Sequence, residues 1–411
     1  MRADQLFTRR RFLAGAGAAG AAVAGGALLG HYLGSSEPAF PAVTGSPAPL
    51  VIITLYGGND GLNTVVPYGD PAYASGRPTL GYHPGEVLDL GDGLGLNPKL
   101  PGLHSFWQAR KLAIVRGVGY PNPNLSHFAS MAIWQTANVT DGTGTGWLGR
   151  WLDRNPDDPM LALSLGATLP PLLRGQQRAA TAITAERISL PGGPQVQAAY
   201  AALQAPGPDR SGLAGAVASS GADLLAARAD LDRLPLPAPG SGTASGAGAA
   251  RASGAASGLA GQLATVSTLI RAGAPTRVYQ VSLSSFDTHA DEKANHESLL
   301  GELDSALTAF MQSLAGRPVV VMTYSEFGRR PAENASGGTD HGTAAPLFVL
   351  GEQVRGGVFY GEEPSLSSLD ANGNLVHTVD FRSVYATVLE RVLGSDPEPV
   401  LGATFPTLPF V

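Results

Sequence analysis

The chain has no cysteine among its 411 residues. This absence excludes a disulfide framework, a lipid-anchored cysteine and a cysteine nucleophile. Stability must therefore come from the burial of apolar surface, for which a chain of this length is ample.

Positive charge and long apolar runs are also scarce. The formal net charge is −6, and the first 45 residues carry a net charge of +2, so the remainder carries about −8. Such a surface predicts no nucleic-acid partner and no attraction to anionic lipid. Beyond the N-terminal segment there is no apolar stretch of about eighteen residues, which predicts no transmembrane span in the mature chain.

Several catalytic motifs are missing as well. The sequence contains no Gly-x-Ser-x-Gly elbow, no Walker loop and no His-Glu-x-x-His helix. An acyl hydrolase of the usual kind and a nucleotide-driven enzyme are therefore disfavoured. The stretch from Gly15 to Gly20 spells a dinucleotide-binding fingerprint, but no strand precedes it, so we assign it to chance.

What is present first is an export signal. Paired arginines stand before Phe-Leu, and an Ala/Gly-rich apolar run follows directly; the motif residues are Arg9, Arg10, Phe12 and Leu13. This order is typical of a twin-arginine signal peptide, with a retained membrane anchor as the alternative. We predict that residues 1–45 are this signal and a short linker. The twin-arginine export machinery is then a partner, and the protein is periplasmic, at the cell surface or secreted.

Continuous apolar runs indicate strands that are buried on both faces. The runs are Leu50–Leu55, Lys111–Val115, Val278–Leu283, Pro318–Thr323 and Pro346–Leu350. Amphipathic helices are predicted between them, most clearly at about 291–314 and 381–393. This alternation predicts a three-layer α/β/α sandwich with a mainly parallel sheet. We predict one domain over 49–411 that carries a flexible Gly/Ala/Ser-rich insertion at about 236–258.

Carboxylates and imidazoles cluster where these strands stop, and parallel strands end at one edge of a sheet. Such side chains can form a site for a divalent metal ion. The candidate ligands are Asp60, Asp287, His289, Glu326 and His341. Each has a structural alternative: Asp60 can shape a turn, and Asp287 can cap the following helix.

Ser126 is a second kind of candidate. It precedes an apparent helix, whose first N–H groups suit an anion or an activated hydroxyl. The alternative is an ordinary N-cap.

Six motifs together resemble a known family. They are Tyr56–Tyr68, Ser126–Phe128, Thr145–Arg150, Phe286–His289, Tyr324–Arg329 and Gly338–Thr343. The set resembles the exported bacterial family of domain of unknown function 1501, over about residues 49–408. That family is remotely similar to the alkaline phosphatase and sulfatase superfamily, whose three-layer fold holds one or two divalent metals at strand ends.

The superfamily likeness implies ligand roles for Asp60, Asp287, Glu326 and His341. At least two of the expected imidazoles are displaced or absent. Glu326-Phe327 stands where the superfamily has an Asp-His pair, and Asp287 and Asp291, with His289 between them, stand where it has Asp-x-x-x-His. A single metal or a rebuilt site is therefore expected in place of a two-zinc site.

The resulting hypothesis is a metal-dependent hydrolase of phosphate or sulfate esters. A zinc, calcium, magnesium or manganese ion would activate the ester, with Ser126 as the nucleophile and Arg329 or Arg330 as the clamp on the anion. The alternative is a catalytically silent binding or scaffold protein for extracellular glycans or surface partners.

Overall fold

The computed structural model describes residues 48–184, 193–205, 212–233 and 258–411. These residues belong to one compact unit, Pro38–Val411. The predicted signal segment lies outside the described residues, and so does the predicted insertion apart from Gly258. Both stay predictions.

A mixed sheet forms the centre of the molecule. Its strands are β1 (Leu50–Leu55), β5 (Leu112–Gly119), β6 (Ala162–Leu165), β7 (Thr181–Ile183), β8 (Val278–Leu283), β9 (Val320–Ser325), β12 (Ala345–Gly351), β13 (Val358–Tyr360) and β14 (Val379–Asp380). The order is β13-β5-β12-β9-β1-β8-β6-β7, and β14 pairs with β5. All neighbouring strands are parallel except where β12 pairs with β5 and β9.

Helices cover both faces of this sheet. They are α1 (Gly61–Thr64), α2 (Pro71–Gly76), α3 (Pro101–Gln108), α4 (His127–Thr136), α5 (Trp147–Asp153), α6 (Pro194–Gln204), α7 (Gly212–Leu231), α8 (Leu259–Arg271), α9 (Glu292–Ser313), α10 (Phe381–Arg391) and α11 (Glu398–Leu401). A short 3-10 helix spans Pro171–Leu173.

The burial pattern of β1 explains the layers. Every residue of this strand is buried, and successive side chains point to opposite faces. Val51 and Ile53 pack with α3, α8 and α9, whereas Leu50 and Ile52 pack with α4, α5 and α10. Each fully buried aliphatic side chain contributes about 1.5–3 kcal/mol. The predicted three-layer α/β/α fold is confirmed.

Two small sheets lie outside the central one. The first contains β2 (Val65–Val66), β3 (Leu88–Gly91) and β4 (Leu94–Leu96). The second is a hairpin of β10 (Arg329–Glu333) and β11 (Thr339–His341), in which Arg329 is opposite His341. This hairpin follows β9, so it returns the chain to the edge at which that strand ends.

The register of the central strands determines where their loops meet. Leu55, at the end of β1, is level with Leu283 on β8 and with Ser325 on β9. Because the three strands are parallel and end together, the loops that follow them leave the sheet at one edge. Among the described residues, no helix is both long and apolar enough to cross a membrane.

Candidate metal centre

Four segments converge at this edge of the sheet. They are the loop after β1, the loop after β8 with Asp287, the loop after β9 with Glu326, and the hairpin end at His341. The N-terminus of α4, which begins with His127, approaches from the helical layer. The site is therefore assembled from residues more than two hundred positions apart.

His127 is held by a carboxylate on one side and faces another on the opposite side. Its Nδ1 lies 2.8 Å from Glu326 Oε1, and its Nε2 lies 3.4 Å from Asp287 Oδ2. A carboxylate accepts only, so Nδ1 carries a proton, and Nε2 faces the second carboxylate, Asp287. That Nε2 atom is buried and has no hydrogen-bond partner among the described residues.

His341 repeats this arrangement with a backbone acceptor. Its Nδ1 donates to the carbonyl oxygen of Leu125 at 2.8 Å, and its Nε2 lies 3.2 Å from Asp287 Oδ1. A carbonyl cannot donate, so the proton must be on Nδ1. Burial, which outweighs the hydrogen bonds to Leu125 and Asp287, lowers the pKa of His341 and favours the neutral ring.

His289 supplies a third imidazole. Its Nε2 is 3.1 Å from Asp287 Oδ1 and 2.9 Å from His341 Nε2, while its Nδ1 is 3.7 Å from Asp340 Oδ1. All three rings thus face Asp287 through Nε2 and an outer acceptor through Nδ1. An outer acceptor of this kind orients most metal-bound histidines.

Asp287 is the common partner, and Arg329 fixes it. Arg329 Nη2 donates to Asp287 Oδ1 at 2.8 Å. Partial burial opposes ionisation of Asp287, but Arg329 and His341, both within hydrogen-bond distance, lower its pKa to about 2. The group is therefore a carboxylate at neutral pH, and it is faced by the Nε2 atoms of three imidazoles.

The distances fit a cation of the size of zinc. One ligand atom each from His127, Asp287 and His341 lies within 4.8 Å of the others. A tetrahedral zinc ion with ligands at about 2.0–2.1 Å separates neighbouring ligand atoms by about 3.3 Å. The 3.4, 3.2 and 3.1 Å separations around Asp287 are close to this value. Three ligands with a further position suit a catalytic ion better than a structural one.

Two glycines after β1 allow the loops to approach. Gly57 and Gly58 have φ angles of +119° and +71°, which side chains rarely adopt. A Cβ atom on Gly57 would lie 2.5 Å from the backbone nitrogen of Asp287, and one on Gly58 would lie 2.3 Å from the ring of Phe327. The Gly57 N–H also donates to Glu326 Oε1 at 2.9 Å. Only glycine fits at these two positions, where the loop after β1 passes close to the loops after β8 and β9.

The structure places Asp60 apart from the cluster. Both of its oxygens contact the guanidinium of Arg77, and both side chains are fully buried. Oδ1 also accepts from the N–H of Leu62 and caps α1. Burial opposes ionisation, but Arg77 holds the pKa of Asp60 well below its usual range. The geometry thus gives Asp60 the turn-forming role in place of the predicted ligand role.

Glu326 belongs to the site, but it contacts the candidate ligand His127 and does not itself face the proposed metal position. It is 1 % exposed; Oε1 accepts from His127 and Gly57, and Oε2 accepts from the hydroxyl of Ser325 at 3.0 Å. With both oxygens occupied, it orients His127 and is not one of the three converging ligands.

Arg329 is also enclosed. It is fully buried, and its guanidinium donates to five acceptors: the carbonyls of Gly57, Gly58, Phe286 and Thr339, and Asp287 Oδ1. A substrate anion cannot reach this enclosed guanidinium, so the geometry makes it a positioning residue where a clamp was predicted. Arg330 follows it on β10 and therefore points to the opposite face.

Ser126 remains accessible. It is the N-cap of α4, but its side chain makes no capping hydrogen bond, and the residue is exposed beside His127. The predicted nucleophile therefore has a free hydroxyl at a helix N-terminus. His127 was not predicted as a ligand. The sequence signal that could have identified it is its imidazole next to the N-cap, within the Ser126–Phe128 motif.

Beneath the cluster lies a second, fully buried polar layer. Glu292 Oε2 accepts from Thr339 Oγ1, and burial together with the neighbouring Asp60 raises the pKa of Glu292 to about 9. Among the described residues, Glu292 Oε1 is buried and has no hydrogen-bond partner. His296 donates from Nε2 to Asn59 Oδ1 at 2.9 Å, so it too is structural.

A family model described as "Protein of unknown function (DUF1501)" matches residues 112–405. The chain belongs to this family. The matched residues include the three imidazoles, Asp287 and Glu326, whereas the Asp60 loop precedes them. Comparison with the curated proteins finds no match.

Three solved structures illustrate the structural similarities. The periplasmic domain of EptC from Escherichia coli, in complex with zinc, is 9 % identical with a TM-score of 0.36 and 75 % coverage of both chains. The soluble domain of lipooligosaccharide phosphoethanolamine transferase A from Neisseria meningitidis is 10 % identical with a TM-score of 0.32, covering 76 % of this chain and 78 % of that chain.

The third is phosphonoacetate hydrolase from Sinorhizobium meliloti in complex with phosphonoformate, at 14 % identity and a TM-score of 0.26. The match covers 70 % of this chain and 59 % of that chain. At these TM-scores none of the three assigns a site or an activity to this chain.

Proposed function

We propose that the protein is an exported zinc-dependent hydrolase of phosphate or sulfate esters. The observation that carries this proposal is the common orientation of His127, His289 and His341. Each ring directs Nε2 at Asp287 and Nδ1 at an outer acceptor.

Zinc suits this donor set best. Imidazole nitrogens and a carboxylate oxygen are typical zinc ligands, whereas calcium and magnesium prefer oxygen ligands throughout. The four side chains are between 22 and 47 % exposed, so a ligand from solvent can reach them. A divalent ion bound here would polarise the ester and lower the pKa of an attacking hydroxyl or water.

The chain's own residues supply the remaining parts. Ser126 offers a free hydroxyl next to His127, and the first N–H groups of the ten-residue helix α4 can receive the anionic group. Glu326 keeps the proton of His127 on Nδ1, and Arg329 keeps Asp287 ionised and in place. Neither Glu326 nor Arg329 touches the substrate, so both act as positioning residues.

A catalytically silent binding protein is the second candidate. The guanidinium of Arg329 is fully buried among five acceptors, so it is not exposed to clamp an ester anion. Such a protein would keep the metal for stability or for glycan recognition and would not turn over esters.

The test begins with the metal content of the mature protein, measured by mass spectrometry before and after chelation. We expect one zinc per chain, hydrolysis of phosphate or sulfate monoesters by the loaded protein, and loss of both in His127→Ala. His377→Ala is the control and should keep zinc and activity.

Zinc binding without turnover of any ester would favour the silent binding protein. A protein that takes up no divalent ion would overturn the metal centre itself.

A further inference from the structure

A groove opens beside the metal cluster on the side of His289. It has a volume of about 520 Å³, and its walls include Ser285, Asp287, His289, Asn295, Ser298 and Leu299. Because Asp287 and His289 form one wall, a molecule in the groove would lie directly next to the proposed ion. The groove is therefore placed to receive the organic part of an ester.

The opposite wall is polar and uncharged. Asn295 and Ser298 are three residues apart on α9, so both lie on the same helix face, and both are exposed. Within the part of the chain that the structure describes, neither side chain has a hydrogen-bond partner. The adjacent Leu299 adds an apolar surface of the kind that the C–H face of a sugar ring requires.

No lysine or arginine lines the groove. Lys293, on the same helix, donates to the carbonyl of Gly81 at 3.1 Å and stacks on the Tyr82 ring, with 4.4 Å between Nζ and the ring centroid. Asp340 is paired with His289. An anionic organic group would thus find no lysine or arginine among the lining residues, and the carboxylate of Asp287 would repel it.

Ser285 is held in a strained conformation at the entrance. Its φ is +85°, which is uncommon for a residue with a side chain, and the following N–H, of Phe286, donates to the carbonyl of Tyr56. Strain of this kind persists where the surrounding structure enforces it, and it is concentrated at functional sites.

We propose that the groove binds the alcohol portion of the ester and that this portion is a neutral, polyhydroxylated group such as a sugar or polyol. This inference rests on the proposed hydrolase function and adds its substrate class. Asn295 and Ser298 are then specificity residues that hydrogen-bond the hydroxyls of the substrate.

The test compares glucose 6-phosphate with phenyl phosphate as substrates. In the Asn295→Ala/Ser298→Ala double variant we expect KM for glucose 6-phosphate to rise about tenfold, as for the loss of two neutral hydrogen bonds. The constants for phenyl phosphate should change less than twofold. Ser305→Ala, at an exposed position two turns further along α9, is the matched control and should leave both substrates unaffected.

Equal losses on both substrates, or no loss on either, would overturn the assignment of the groove. If neither ester is hydrolysed, calorimetric titration of glucose 6-phosphate into the zinc-loaded parent and the double variant decides the question separately. If glucose 6-phosphate binds the parent and binds the double variant more weakly, the assignment of the groove is supported even though the hydrolase function fails. Absence of binding to the parent overturns the assignment of the groove.

Discussion

The replacement Glu326→Gln separates an orienting carboxylate from a metal ligand. The amide keeps the shape of the side chain, and its oxygen can still accept from His127 Nδ1 and Gly57 N–H. Its NH2 group takes the place of Oε2 and can donate to the hydroxyl of Ser325, which retains its bond to the carbonyl of Leu55. The fold should therefore tolerate the change, with a free energy of unfolding within about 1 kcal/mol of the parent.

Zinc affinity should fall more clearly. Loss of the negative charge weakens the polarisation of His127, and replacement of an outer-shell partner costs about 10- to 100-fold in metal affinity. This range corresponds to about 1.4–2.7 kcal/mol. The assay is competition for zinc against a chelating indicator, combined with chemical denaturation of the metal-free protein.

Glu326→Ala provides the comparison. It leaves the His127 N–H and the Gly57 N–H without their acceptor, at a cost of about 1–3 kcal/mol for each buried group. If Glu326→Gln binds zinc like the parent, the orienting role is refuted. If it loses zinc as completely as Asp287→Ala, Glu326 is a ligand, as the sequence predicted.

Four further predictions follow from the same structure. Burial and the neighbouring Asp60 raise the pKa of Glu292 from 4.5 to about 9, so its contribution to stability is complete below pH 4.5 and is lost as the pH rises to 9. Glu292→Gln should flatten this decline in stability, measured by denaturation at each pH, and an unchanged pH profile would contradict the raised pKa. Gly57→Ala should lower stability by about 2 kcal/mol or more, because its Cβ meets the backbone of Asp287 at a positive φ, whereas Gly301→Ala, in open space on α9, should be neutral or stabilising in thermal melts. Asp60→Asn should cost about 3–5 kcal/mol by leaving buried Arg77 unpaired, yet the folded fraction should bind one zinc; loss of zinc alone would restore the ligand role of Asp60. Replacement of Arg9 and Arg10 by Lys should leave precursor in the cytoplasm on fractionation, and normal export would refute the twin-arginine signal.

Sequence pattern was enough to predict the architecture and the edge of the sheet at which the candidate site lies. The run Leu50–Leu55 is apolar except for Thr54 and mostly β-branched, which predicts a strand covered on both sides, and β1 is buried throughout. Parallel strands then place Asp287 and Glu326 at one edge, because such strands end on the same side. His341 reaches this edge through the β10–β11 hairpin, which leads into the antiparallel strand β12. Local pattern was sufficient for these conclusions, since each depends on contacts that any buried parallel strand must make.

The pairing of polar groups at this edge became apparent only in the folded structure. Asp60 and Asp287 both follow buried strands, yet Arg77 folds back from 17 residues away to enclose Asp60, whereas Asp287 keeps one oxygen towards His127. The direction of a side chain at a strand end depends on its partners across the fold, and those partners lie far away in the sequence. For the same reason the sequence did not show that Arg329 is enclosed, because its five acceptors lie on the loop after β1, the loop after β8 and strand β11.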